Sequence, residues 1–210
     1  MTASATTRIA IVGAQQIESR YRAIIDRVPN AEITAAAANV KGLLDSPAGD
    51  FDALIVCGML EESVQLAELD KHVFLSRDMP SEFKLAIANS KSADSKLMIG
   101  TPLRFRSDIA AVKQSLDDGE LGDPGLLRIH CWGGSDGGME ARLQDEIDLA
   151  TWFFGTQPTS IFAVSRSIAG SEDYRQVHFG FPADGMAMID VNSALPTGDS
   201  YHSLSLIGST

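Results

Sequence analysis

Cysteine is scarce in this chain: two residues, Cys57 and Cys131, in 210. That count excludes a disulfide framework, and it sets the expectation of a reducing, cytoplasmic compartment. Basic residues are also few, 17 against 28 acidic, for a net charge of −11. A nucleic-acid or anionic-membrane surface needs a basic stripe, so neither partner is expected. The excess acid reads as solubility. No apolar run approaches membrane-spanning length, and the opening MTASATT lacks the basic start and apolar core of a signal peptide. Fixed-period repeats and low-complexity blocks are absent, and no metal site is expected. What remains is an ordinary globular composition, 44% hydrophobic and 21% charged, long enough for one large domain or two small ones.

Glycine is missing where it would be most informative. In RIAIVGAQQIESRYRAII a β-branched run meets Gly13 and a helical pattern follows, with apolar residues at Ile17, Tyr21, Ile24, Ile25 and Val28. No second or third glycine comes after Gly13. The simplest reading is a plain strand-to-helix turn with solvated Gln15, Gln16 and Glu18.

Further along, EITAAAA (residues 32–38) has helix-favouring alanines, but its place after Pro29-Asn30 favours a short parallel strand. Strands are expected within Asp52–Cys57, at KHVFLS and at Lys96–Ile99. Helices are expected over Glu61–Leu69 and, capped by Ser81, over Glu82–Ser92. Strands alternating with helices predict a doubly wound parallel sheet of Rossmann type over 1–100. From Thr101 the texture changes. A helix over Ser107–Asp118, a strand at LLRIHCW and a helix at EIDLATWFFG precede strands at SIFAVSRSI, GMAMIDVNSAL and YHSLSLIGS. This predicts a smaller α+β domain over 101–210 with a mostly antiparallel sheet, whose last strand lies at an edge or pairs with a partner. Cys57 is expected to be buried packing. Adjacent strand residues face opposite ways, so His130 and Cys131 are not expected to form a nucleophile pair.

The opening, DKHVFLSRDMPSEFKLA, LMIGTPLRFRSDIAAVKQSLDDGELGDPGLLRI, EIDLATWFFGTQPTSIFAV and YHSLSLIGST together resemble the Gfo/Idh/MocA oxidoreductase family. The resemblance spans nearly the whole chain, which is shorter than usual members, notably between Gly58 and Lys71 and between Trp132 and Gly137. It implies NAD(P) on the first domain, a sugar-like or polyol substrate, and oligomerisation through the second domain's sheet as a homodimer or a heteromer.

It also implies four functional stations, and each departs from the family pattern. The G-x-G-x-x-G frame falls on Gly13, Ala14, Gln15, Gln16, Ile17 and Glu18, so only its first glycine is kept. Glu18 would place a carboxylate near a helix N-terminus, where it occupies a phosphate's place. The ribose acid falls near Asn39, which is uncharged, with Lys41 close by. The catalytic lysine falls on Arg77, whose guanidinium stays protonated and can clamp an anion or pair with Asp78. The catalytic histidine falls on Asp145 and the aspartate before it on Ala141. The simpler reading of Asp145, Glu146 and Asp148 is an acidic first turn of a helix.

If a nucleotide binds, its contacts are Gly13, Ala14, Gln15, Ile17 and Asn39; the catalytic positions are Arg77 and Asp145. The leading expectation is a divergent member without standard hydride transfer. It would act as a binding, regulatory or partner subunit, with a small-molecule ligand and with no cofactor or a residual NAD(P). The alternative is an NAD(P)-dependent oxidoreductase with an altered site, in which Asp145 or His130 serves in proton transfer.

Overall fold

The computed structural model describes residues 5–13, 15–45, 50–57, 69, 71–76, 95–134, 138–168 and 171–210. By contacts the chain divides into two compact units, Met1–Gly100 and Thr101–Thr210. Ala14, Arg77 and Asp78 lie outside the described residues, as do the helices expected over 82–92 and, Leu69 apart, over 61–69.

The first unit holds β1 (Thr7–Gly13), α1 (Gln15–Ile25), β2 (Ala31–Ala37), α2 (Val40–Leu44), β3 (Ala53–Cys57), β4 (His72–Leu75) and β5 (Leu97–Ile99). Its strands pair in parallel in the order β2-β1-β3-β4-β5. Central strands of such a sheet are buried on both faces, so they read as unbroken apolar runs. Ala10, Ile11 and Val12 of β1 and Leu54, Val56 and Cys57 of β3 fit that description and are all buried. One face packs Val12, Leu54 and Val73 against Val40 and Leu43 of α2. The other packs Ile11, Ile55 and Cys57 against Ile25 and Tyr21 of α1. The alanine-rich segment is a strand: pairing with β1 and burial of Ala35 override its helical propensity. Chain order reverses at β1, which lies between β2 and β3, and ligands of such sheets bind at the carboxyl ends there.

Arg8 ties the start of β1 to the chain entering β3. Its Nε and one terminal nitrogen donate to the two Asp52 oxygens at 3.2 and 2.7 Å, and its backbone N–H donates to Asp52 at 2.9 Å. These bonds, the side-chain ones first, hold the Asp52 carboxyl down at about 2. A carboxylate depressed on folding contributes stability above its unfolded value, and that contribution is lost as pH falls through the folded one. Acid unfolding of Asp52→Asn, followed by circular dichroism, is therefore expected to lose a step between about pH 4 and about pH 2.

The second unit holds α3 (Ser107–Asp117), β6 (Pro124–Gly134), α4 (Met139–Phe154), β7 (Ser160–Ile168), β8 (Ser171–Gly180), β9 (Met186–Leu195) and β10 (Ser200–Gly208). The sheet order is β10-β6-β9-β8-β7, antiparallel except for the β6–β9 pair. Alternation sends Leu127, Ile129, Val177, Phe179, Ala187, Ile189 and Val191 to one face. There they pack with Ile109 and Leu116 of α3 and Leu143, Leu149, Ala150 and Phe153 of α4. Residues on the other face alternate with them. Among those, Phe162, Val164, Met186, Tyr201 and Ile207 are exposed.

Two expectations are corrected here. SEDYRQVHFG is a strand that the sequence reading leaves out, because only Val177 and Phe179 supply its apolar alternation. And α4 starts at Met139, seven residues before the expected Glu146, so Asp145, Glu146 and Asp148 lie inside the helix and its first-turn acid is Glu140. The cause is Glu146, which occupies a buried position of the 3.6-residue stripe that runs from Leu143 to Phe153 and masks its period. The helix ends at Gly155 in the left-handed region.

Candidate functional site

At the β1–α1 turn, Gly13 has φ 131°, and an added Cβ would stand 1.8 Å from the Cys57 carbonyl oxygen. The glycine is thus fixed by close approach of β1 to the end of β3. Its place between strand and helix leaves the α1 N-terminus facing the carboxyl edge of the sheet, where unpaired backbone N–H groups suit an anion. Glu18 does not fill that place. It turns along α1 to accept from Arg22 at 3.0 Å. Asn39 caps α2, its Oδ1 accepting from the Gly42 N–H at 2.7 Å, which leaves both amide N–H groups and one Oδ1 lone pair. Of the expected nucleotide contacts, Gly13, Gln15 and Ile17 follow one another across this turn and Asn39 sits just beyond β2. The strand–glycine–helix order is present at this turn, and Asn39, where the resemblance places the ribose acid, carries no charge.

In the second unit a polar cluster lies between α4 and the sheet. Glu146 is 2% exposed, and one of its oxygens accepts from His202 Nε2 at 3.0 Å. His202 pairs across the strands with Cys131, on the helix-covered face of the sheet. Arg106, held on Asp108 at 2.6 and 3.2 Å, comes within 3.4 Å of His202 Nδ1. Arg142 donates to the Gly134 carbonyl at 2.8 Å and packs over Gly133, where an added Cβ would stand 2.6 Å from its guanidinium. Asp145, the position matching the family histidine, is next to Glu146 and contributes to the field at Cys131. Arg104, in the 3-10 turn Pro102–Phe105, grips Asp148 of α4 with two bonds at 2.7 and 2.5 Å and lies over the Trp152 ring. The "RF" and "IDL" passages thus meet in space.

The Cys131 thiol is pushed up to about 12, first by burial and then by the Glu146 charge. A protonated thiol is a poor nucleophile. Cys131 is expected to resist iodoacetamide in the folded chain at pH 8 and to react once urea unfolds it, as read by mass spectrometry. Ionisation of this thiol is favoured in the unfolded chain between about pH 9 and about pH 12, so stability falls there; Cys131→Ala is expected to flatten that alkaline limb.

His130 is not part of this cluster. It lies on the opposite face of the sheet, with Nδ1 3.0 Å from an Asp190 oxygen, beside Trp132, whose indole N–H donates to the same carboxylate. Trp132 in turn packs on Tyr201 at 5.2 Å between ring centroids. His130 and Asp145 thus lie on opposite sides of the sheet. No set of three or more potential metal ligands clusters among the described residues.

No protein-family model matches the chain. It is 26% identical over 225 aligned positions to the uncharacterized oxidoreductase YrbE of Bacillus subtilis, covering 86% of this chain and 65% of that protein. It is 27% identical over 152 positions to an inositol 2-dehydrogenase of Arthrobacter, covering 60% of this chain and 44% of that protein. The structure superposes on myo-inositol dehydrogenase from Lactobacillus casei, solved with NAD(H) and myo-inositol, with TM-score 0.81 and 19% identity, over 98% of this chain and 72% of that one. The chain has the Gfo/Idh/MocA-type fold. It spans 65% or less of the curated relatives given above. Within the Gfo/Idh/MocA-type frame, the β1–α1 turn keeps the strand–glycine–helix order. Sequence reasoning missed Glu146 and His202. Their signal was a charged residue at a buried helical position and a histidine at an inward strand position, legible only once the sheet register is known.

Proposed function

We propose that the chain binds NAD(P) at the β1–α1 turn of its first unit and belongs to an oxidoreductase acting on a polyol or sugar-like substrate. The observation that carries this reading is the superposition on an inositol dehydrogenase holding NAD(H) and myo-inositol. Gly13 and the first turn of α1 would hold the pyrophosphate, and the Asn39 amide would meet a ribose hydroxyl. The cofactor supplies hydride chemistry when bound. The second unit would supply the polar groups that meet the substrate: Asp145, His202 and Arg142, with Glu146 buried behind His202. The exposed face of its sheet, with Phe162, Met186, Tyr201 and Ile207, would serve a second copy or a related subunit. No helix among the described residues is long and apolar enough to cross a membrane, and neither cysteine forms a disulfide, in keeping with a cytoplasmic setting.

A second reading is favoured by the substitutions themselves. Arg77 and Asp145 stand at the lysine and histidine positions, and a guanidinium does not relay protons. The chain would then bind without turnover, as a regulatory or partner subunit. Incubating it with NAD+ or NADP+ and myo-inositol or scyllo-inositol, and following absorbance at the reduced nicotinamide band, separates the two. Turnover that falls at least tenfold in Asp145→Ala supports the oxidoreductase. Cofactor binding with no turnover on any polyol supports the second reading.

A further inference from the structure

We propose that His202 is the hydrogen-bond acceptor for a ligand hydroxyl in the second unit, with Glu146 as the positioning residue that fixes its tautomer. The inference rests on the polyol reading of that unit and assigns the atom that reads the hydroxyl. Glu146 is 2% exposed, with the Cys131 thiol as a further hydrogen-bonding neighbour. His202 Nε2 is the group bonded to a Glu146 oxygen, at 3.0 Å. A carboxylate only accepts, so Nε2 carries the proton. The neighbour of Nδ1 is Arg106, which only donates, so the neutral ring presents a lone pair at Nδ1. The Arg106 contact is long, at 3.4 Å, whereas Arg106 is held on Asp108 by two shorter bonds. A ligand hydroxyl can take Nδ1 and leave Arg106 with its carboxylate.

The arrangement is that of a buried carboxylate orienting an imidazole whose other nitrogen does the work. It stands next to Asp145, where the family resemblance places a histidine. A strand residue, through Glu146, thus supplies the imidazole that the helix lacks. Charged and titratable groups around the ring are Glu146 and, beside it, Asp145 and Arg142 from α4, Cys131 from β6, and Arg106 with Asp108 at the start of α3.

The test uses the whole chain, long-range proton–nitrogen NMR of its imidazoles, and myo-inositol as probe. His202 is expected to show the Nε2–H tautomer at pH 8. Added myo-inositol is expected to shift its Nδ1 resonance and leave His130 unmoved. Affinity for myo-inositol is expected to drop at least tenfold in H202Q. An Nδ1–H tautomer, or NADH binding with saturating inositol leaving His202 unmoved, overturns the proposal. A His202 shift in a chain that binds no NADH supports it while defeating the cofactor reading. H202Q binding inositol as tightly as the parent also overturns it.

Discussion

Gly13→Ala is expected to destabilise the chain by about 3–5 kcal/mol, or to prevent folding altogether, as read by urea denaturation. Two costs add. The added Cβ would stand 1.8 Å from the Cys57 carbonyl oxygen and 2.9 Å from the Cys57 Cβ, and neither can give way without separating β1 from β3. The backbone φ of 131° is also one that a side chain strains. These strands form the centre of the sheet, with Val12, Val56 and Cys57 all essentially unexposed. The effect is one of packing and needs no cofactor. A stability loss under about 1 kcal/mol would show that β1 and β3 do not approach as described.

Asp190→Ala is expected to cost about 3 kcal/mol, more than any exposed substitution on the same sheet face. Asp190 is 6% exposed although its face of the sheet is largely open. Both its oxygens are used, one by the Trp132 indole N–H and one by His130 Nδ1. Alanine would orphan both partners and loosen Trp132, which packs on Tyr201. Asp190→Asn keeps an acceptor for the indole, and its loss is expected to be about half as large. Equal losses for the two variants would mean that the indole bond carries little of the energy. Met186→Ala, on the same face and exposed, serves as the near-neutral control.

The parts of the fold legible in the sequence are those where burial is uniform. β1 and β3 read as strands because both their faces are covered, and α3 because its apolar spacing is unbroken. The Arg104–Asp148 clamp shows why two passages far apart both contributed to the resemblance: each supplies one half of a single contact. His130 and Cys131 were separable from strand alternation alone, and the structure places them on opposite faces. What escaped were charges in apolar positions. Glu146 hid the start of α4, and Asp190 sits inside a strand that otherwise reads as apolar. Their partners, His202 and His130, are 56 and 60 residues away, a distance that no local pattern spans. At the first unit's turn, the i,i+4 neighbour Arg22 draws Glu18 along the helix, a pairing that separates neither the solvated reading of Glu18 nor the phosphate-mimicking one from the sequence alone.

The β1–α1 turn of the first unit is proposed to receive a nicotinamide dinucleotide despite keeping one glycine of the usual three. Titration of the whole chain with NADH and with NADPH, followed by nucleotide fluorescence and calorimetry, tests it most directly. Saturable binding in the micromolar range to at least one of the two is the predicted result. Millimolar or weaker binding to both would contradict it.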